Sequence, residues 1–193
     1  ETLNLVEDTD YTLSGTSAAT DIADYSFTVT GKGKYNGTVS FDWKIRELIP
    51  VGGTYTVTRT GEKLVGDGKN VYFPLHVTTY DTYTDQDYTY TCQSDTVGWN
   101  KVSVNDTTKT SYGAIRDHIC DKAIVMLESV FRKCANMVEA PVIPDSVYIL
   151  KDSFRGCTSL KTYTGSTDAN GDFSNYKIPD CVRDMSCAFD RCT

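Results

Sequence analysis

The first hundred or so residues alternate, and the last seventy-five recur. From Thr38 to Ile45, Val39, Phe41, Trp43 and Ile45 fall on one side of an extended chain and Thr38, Ser40, Asp42 and Lys44 on the other. This is the period of two that a strand imposes, and it predicts one buried face. TLNLV, DYSFTVTG, GTYTVTR, NVYFPLHVTTY, DYTYTCQ and KVSVN share the habit. Between them lie Gly31-Lys32-Gly33, Asn36-Gly37, Pro50-Val51-Gly52-Gly53 and Gly66-Asp67-Gly68-Lys69-Asn70. Short strands with turn residues at such intervals predict an all-β antiparallel sandwich over residues 1–108, Ig-like or jelly-roll-like, with roughly seven to nine strands. Pro74 has no N–H to give a ladder, so its run is expected at an edge or a bulge.

Apolar positions in the last third repeat at fixed offsets. Ile124, Leu127, Phe131 and Cys134 are followed 23 residues later by Val147, Leu150, Phe154 and Cys157, and 35 residues after that by Val182, Met185, Phe189 and Cys192. The period is therefore 23 with one insertion, placed at about 165–176 in TGSTDANGDFSNYK. A unit of this size cannot bury its apolar side alone, so successive units must stack, with Phe131, Phe154 and Phe189 above one another. Glu128 early and Arg132 and Lys133 late predict a short helix over Leu127–Cys134, because that order suits the helix dipole.

The spacing F-x-x-C-x-x-L, a short strand and then I-P-x-S-V resembles the BspA-like leucine-rich repeats of bacterial surface proteins. Phe131-Arg-Lys-Cys134-Ala-Asn-Met137, Phe154-Arg-Gly-Cys157-Thr-Ser-Leu160, Ile143-Pro144-Asp145-Ser146-Val147 and Ile178-Pro179-Asp180-Cys181-Val182 carry it. The resemblance covers residues 119–193. It implies a second domain, 109–193, forming a short leucine-rich-repeat α/β solenoid, with a linker and N-terminal cap at about 105–123. It also implies adhesion to proteins of a host or of neighbouring cells.

Composition narrows the partners. A formal charge of −7 and a pI near 4.8 disfavour nucleic acid, whose phosphates call for a basic footprint. No run approaches the roughly 20 apolar residues that span a bilayer, so no membrane insertion is expected. Few Lys and Arg, 13 Tyr and many Thr on alternating strands fit an extracellular or cell-surface β-rich module whose leader has been removed. Among seven cysteines, Cys134, Cys157 and Cys192 share one repeat offset, where a small soft side chain packs well. Cys92, Cys120, Cys181 and Cys187 remain, and Cys181 and Cys187 are close enough in sequence to pair. No C-x-x-C occurs and the spacing matches no standard zinc site, so no metal or other cofactor is expected.

Candidate chemistry is sparse. His76 and His118 are the only histidines, and no H-E-x-x-H, G-x-S-x-G or paired-carboxylate motif accompanies them, so enzymatic activity is not expected. The turns at Gly52 and Gly68 run into strands and lack the helix N-terminus a phosphate cradle needs. Asp168, Asn170, Asp172 and Ser174 alternate like the opening of a calcium loop, but Gly171 is out of place and Pro179 stands where a bidentate Glu belongs.

Three functions follow as expectations. The first is a non-enzymatic adhesin whose partner surface comprises Glu139, Lys161, Tyr163, Asp168, Asn170, Asp172, Phe173 and Tyr176, on the strand side and the inserted loop. The second is a carbohydrate-binding module in which Tyr80, Tyr83, Tyr88 and Tyr90 form a platform flanked by Asp85 and Asp87, since sugars stack on rings while carboxylates hold their hydroxyls; the bland alternative is a solvated hairpin. The third is a structural stalk.

Overall fold

In this computed structural model residues 4–94, 96–163 and 178–192 are described. The chain separates into two compact units, Glu1–Glu47 and Leu48–Thr193, rather than dividing near residue 108.

The smaller unit is one antiparallel sheet in the order β1-β2-β3, made of β1 (Tyr11–Gly15), β2 (Asp24–Gly31) and β3 (Thr38–Lys44). Alternation puts Tyr25 beside Trp43, Phe27 beside Phe41 and Val29 beside Val39. The first two pairs stack, with ring centroids 4.7 and 5.1 Å apart. Thr28, Thr30, Thr38 and Ser40 form the other face, where the Thr28 and Ser40 hydroxyls lie 2.9 Å apart. The expected burial of the apolar face does not occur. Val39 is 56% and Phe41 47% exposed, and none of the described residues of this unit is buried.

The larger unit opens with a five-stranded antiparallel sheet in the order β5-β4-β6-β7-β8. Its strands are β4 (Thr54–Val57), β5 (Glu62–Val65), β6 (Thr82–Thr84), β7 (Tyr88–Thr91) and β8 (Lys101–Val104). Register aligns Tyr55, Tyr83, Tyr90 and Val102 across neighbouring strands on one buried face. Among the described residues of this unit no second sheet covers that face in the manner of a sandwich. Phe73 meets Tyr83 edge-on at 5.0 Å, Trp99 meets Tyr55 at 6.2 Å, and Tyr88 lies 6.1 to 6.2 Å from Tyr112 and Phe131. The segment 71–78 containing Pro74 is irregular apart from a Leu48–Tyr72 bridge. The stretch read as a linker supplies Tyr112, Ile115 and Ile119 to this same core, with a short hairpin of β9 (His118–Ile119) and β10 (Lys122–Ala123).

The expected α/β leucine-rich-repeat solenoid is overturned, because the described residues contain no helix. Over residues 127–134, alternate amides divide their work. Those of Leu127, Ser129, Phe131 and Lys133 donate to the carbonyls of Ile149, Lys151, Ser153 and Arg155, each at 2.8–2.9 Å. Those of Val130, Arg132 and Cys134 close turns onto Leu127, Ser129 and Phe131. The next turn repeats the scheme, with Leu150, Asp152, Phe154 and Gly156 donating to Asp184, Ser186, Ala188 and Asp190. An α-helix needs each of these amides for the carbonyl four residues earlier. Half of them point sideways instead.

Backbone conformation follows the same register. Positive φ occurs at Ser129 and Lys133, at Asp152 and Gly156, and at Cys187 and Arg191, so the left-handed positions recur at 23 and then 35 residues. A left-handed residue inside each turn is incompatible with a right-handed helix. The side chains stack accordingly: Phe131 lies 5.2 Å from Phe154 at an interplanar angle of 7°, and Phe154 lies 5.2 Å from Phe189 at 5°. Parallel bridges from Trp99 to Ile124, Met126 to Ile149 and Ile149 to Asp184 run alongside.

No disulfide joins any of the cysteines, all of which are among the described residues, so Cys181 and Cys187 do not pair. Cys157 donates its thiol to the Phe131 carbonyl and Cys192 to that of Phe154, both at 3.0 Å. Each sulfur is thus a second donor to a carbonyl that already closes a turn with the amide of Cys134 or Cys157. Burial, with the neighbouring Cys134 and Cys192 adding to it, pushes the Cys157 thiol up to about 12, which keeps it protonated and able to donate. Cys181 hydrogen-bonds the carbonyls of Asp145 and Val147 at 2.8 and 3.0 Å.

Candidate functional site

The strand side of the stacked turns is built from two short parallel strands, β11 (Glu139–Ala140) and β12 (Thr162–Tyr163), with Glu139 opposite Thr162 and Ala140 opposite Tyr163. Their hydrogen bonds extend the layering outward. Val138 donates to Thr110 at 2.8 Å, and Lys161 donates to Val138 at 2.9 Å. Ala140 turns inward and is fully buried, while Glu139 is half-buried and Lys161 exposed. Val138 and Val142, 39% and 54% exposed, add apolar surface nearby. Three of the expected partner residues, Glu139, Lys161 and Tyr163, thus belong to adjacent backbone segments. Asp168, Asn170, Asp172, Phe173 and Tyr176 lie outside the described residues, as does most of the candidate calcium loop. Among the described residues no group of three or more His, Cys, Asp or Glu is placed to hold a metal ion, and no helix is long and apolar enough to cross a membrane.

The tyrosine platform is corrected by the register of β6 and β7. Tyr83, Tyr88 and Tyr90 are at most 1% exposed, and only Tyr80, at 60%, faces solvent. Their alternation with threonine is real, but the aromatic side is the core side. Burial raises the Tyr88 and Tyr90 phenols well above their ordinary range, so they stay neutral, and Tyr88 donates to the Gly113 carbonyl at 2.7 Å.

The two carboxylates are occupied as well. Asp85 accepts from the amides of Asp87 and Tyr88 at 3.0 and 2.8 Å. Asp87 pairs with Lys109 and accepts from Gly113 at 2.7 Å. Partial burial would raise the Asp87 carboxyl, but Lys109 and the Gly113 amide outweigh it and hold the carboxyl below its usual range. Arg116 lies over the rings of Phe73 and Tyr83 at 5.4 and 5.2 Å, in a cleft of about 370 Å³ that Asp85 and Asp87 also line. These groups hold the fold together; they do not form an open sugar-binding shelf.

No protein-family model matches the chain, and neither a curated protein nor a solved structure of significant similarity is found.

The histidines each sit beside a carboxylate at the surface. His76 Nδ1 is 3.0 Å from Asp121, which also accepts from the Val77 amide at 3.0 Å. His118 Nδ1 is 2.8 Å from its neighbour Asp117.

What the sequence reading missed is the aromatic side of β2 and β3. Tyr25 and Trp43 border a surface cavity of about 520 Å³, together with Asp24, Asp42 and Lys44. The Trp43 indole donates to the Thr16 carbonyl at 2.9 Å and the Tyr25 hydroxyl to that of Asp21 at 2.7 Å. Both rings are thereby fixed. Alternation marked these residues as one face, but alternation is silent on whether anything covers a face.

Proposed function

We propose that this protein is a non-enzymatic, secreted or cell-surface binding protein of the adhesin type, which contacts a protein ligand on a host or neighbouring cell through the strand side of its stacked turns. The observation that carries this reading is the β11–β12 pair. It sets Glu139 beside the segment of Lys161 through the Glu139–Thr162 and Ala140–Tyr163 pairs and the Lys161-to-Val138 hydrogen bond, and the insertion follows in the sequence at about 165–176. Loops and strand ends held by a rigid scaffold are where specificity concentrates. The BspA-like spacing of residues 119–193 points the same way, as does the acidic, Tyr- and Thr-rich composition.

The test is binding of the full chain to immobilised extracellular-matrix and cell-surface proteins, with a glycan array in parallel. Binding to a protein target, weakened tenfold or more in a Glu139→Ala, Lys161→Ala variant with an unchanged melting curve, is the expected result. A target bound equally well by that variant contradicts the assigned surface. Glycan binding without protein binding contradicts the ligand class.

A further inference from the structure

We propose that the smaller unit is an association module, in which two copies of the chain pair through their β3 strands to make one continuous six-stranded sheet. This is independent of the ligand read above. β3 is the outermost strand of its sheet. Gly31 donates to Gly37 and Ile45 to Ala23 at the two ends of the β2–β3 ladder. Those bonds fix the odd residues of β3 as the ones bonded to β2. The amides and carbonyls of Thr38, Ser40, Asp42 and Lys44 therefore point away from the sheet, and among the described residues they have no backbone partner.

Protein edges are normally blunted by proline, bulges or inward-pointing charge. β3 has none of these: its pairing with β2 is unbroken over Thr38–Lys44, and its charges, Asp42 and Lys44, lie on the polar face. An edge of this length and flatness is open to addition of a strand.

The strand is also complementary to itself. Antiparallel pairing about a two-fold axis at Phe41 engages all of Thr38–Lys44. It sets Val39 against the partner's Trp43, Phe41 against its own counterpart, Ser40 against Asp42 and Thr38 against Lys44. The even residues that point outward become the hydrogen-bonded pairs. Sliding the register by two residues in one direction puts Asp42 opposite Asp42, which is unfavourable. Sliding it in the other direction leaves Trp43 and Lys44 beyond the end of the partner strand. Charge and alternation thus select one isologous register. It covers the flanks of Val39 and Phe41, the two most exposed large apolar residues of β3.

Sedimentation velocity of the full chain over a range of concentrations tests this. The expected result is a concentration-dependent species at twice the 21.4 kDa chain mass. Ser40→Pro removes an outward amide and no backbone bond to β2, losing only the hydroxyl contact with Thr28, and Phe41→Lys places two like charges at the axis. Both are expected to leave circular dichroism unchanged and to abolish the larger species. A wild-type chain that stays monomeric overturns the proposal, as does a dimer that survives in either folded variant. If Ser40→Pro does not fold, Phe41→Lys alone decides.

Discussion

Replacing Phe154 with alanine is expected to lower the stability of the larger unit by about 3–5 kcal/mol, the range for truncating a fully buried aromatic side chain. Phe154 is 0% exposed and stacks at 5.2 Å on both Phe131 and Phe189. Its neighbours cannot collapse into the gap, because the amide of Phe131 is tied to Ser153 and that of Phe154 to Ala188. A cavity that cannot collapse keeps most of its cost. Phe189 is only half-buried, so Phe189→Ala should cost clearly less. Urea unfolding monitored by circular dichroism measures both. A Phe154→Ala loss below about 1 kcal/mol, or a larger loss at Phe189, would contradict the stacked arrangement.

Asp81→Ala is expected to cost about 2–4 kcal/mol, for a different reason. Asp81 is 1% exposed, and its carboxylate gathers three donors. Oδ2 accepts from the Tyr55 hydroxyl at 2.8 Å and the Thr78 amide at 3.0 Å, and Oδ1 accepts from the Thr58 amide at 3.1 Å. Burial first, then Cys120 and Asp81 itself, raise the Tyr55 phenol far above its ordinary range, so Tyr55 stays protonated and donates. Alanine would take this acceptor from the buried Tyr55 hydroxyl and the side-chain partner from the part-buried Thr58 and Thr78 amides. Asp81→Asn keeps one acceptor oxygen and should lose less. Thermal melts of both variants give the comparison, and equal losses for Ala and Asn would show that the acceptor count is not what matters.

The parts of this fold that could be read from the chain are those where one periodicity has one structural meaning. Alternation located β2, β3, β4, β7 and β8. The 23-residue interval, with its single 35-residue step, placed Phe131, Phe154 and Phe189 in one column. The helix over Leu127–Cys134 was misread because its residues suit a helix in composition and charge order, while the left-handed positions are disguised. Gly156 shows its conformation in the sequence, but Lys133 and Arg191, at the same offset, do not. Comparing the three units at that position is the signal that was available.

Burial was less legible than pattern. Tyr83, Tyr88 and Tyr90 alternate with threonine as a solvated platform would, and only the packing of Trp99, Tyr112 and Phe131 onto their side makes it the core. For Val39, Phe41 and Trp43 the error ran the other way, because a clear apolar face was assumed to be covered. The Asp/Thr/Lys run of the joining segment 105–122 reads as a polar linker, while Ile115 and Ile119 read as an apolar lid; Tyr112 joins them in the core. Of the expected partner surface, the part on β11 and β12 is brought together by the layering of the turns, which the repeat implied.

The central claim is that alternate amides of each turn reach across to the next turn instead of along their own. Scalar couplings transmitted through hydrogen bonds, measured by NMR, identify donor and acceptor directly. The account predicts that the Phe131 amide couples to the carbonyl carbon of Ser153 and the Phe154 amide to that of Ala188. Coupling of Phe131 to Leu127, the bond an α-helix would make, would contradict it.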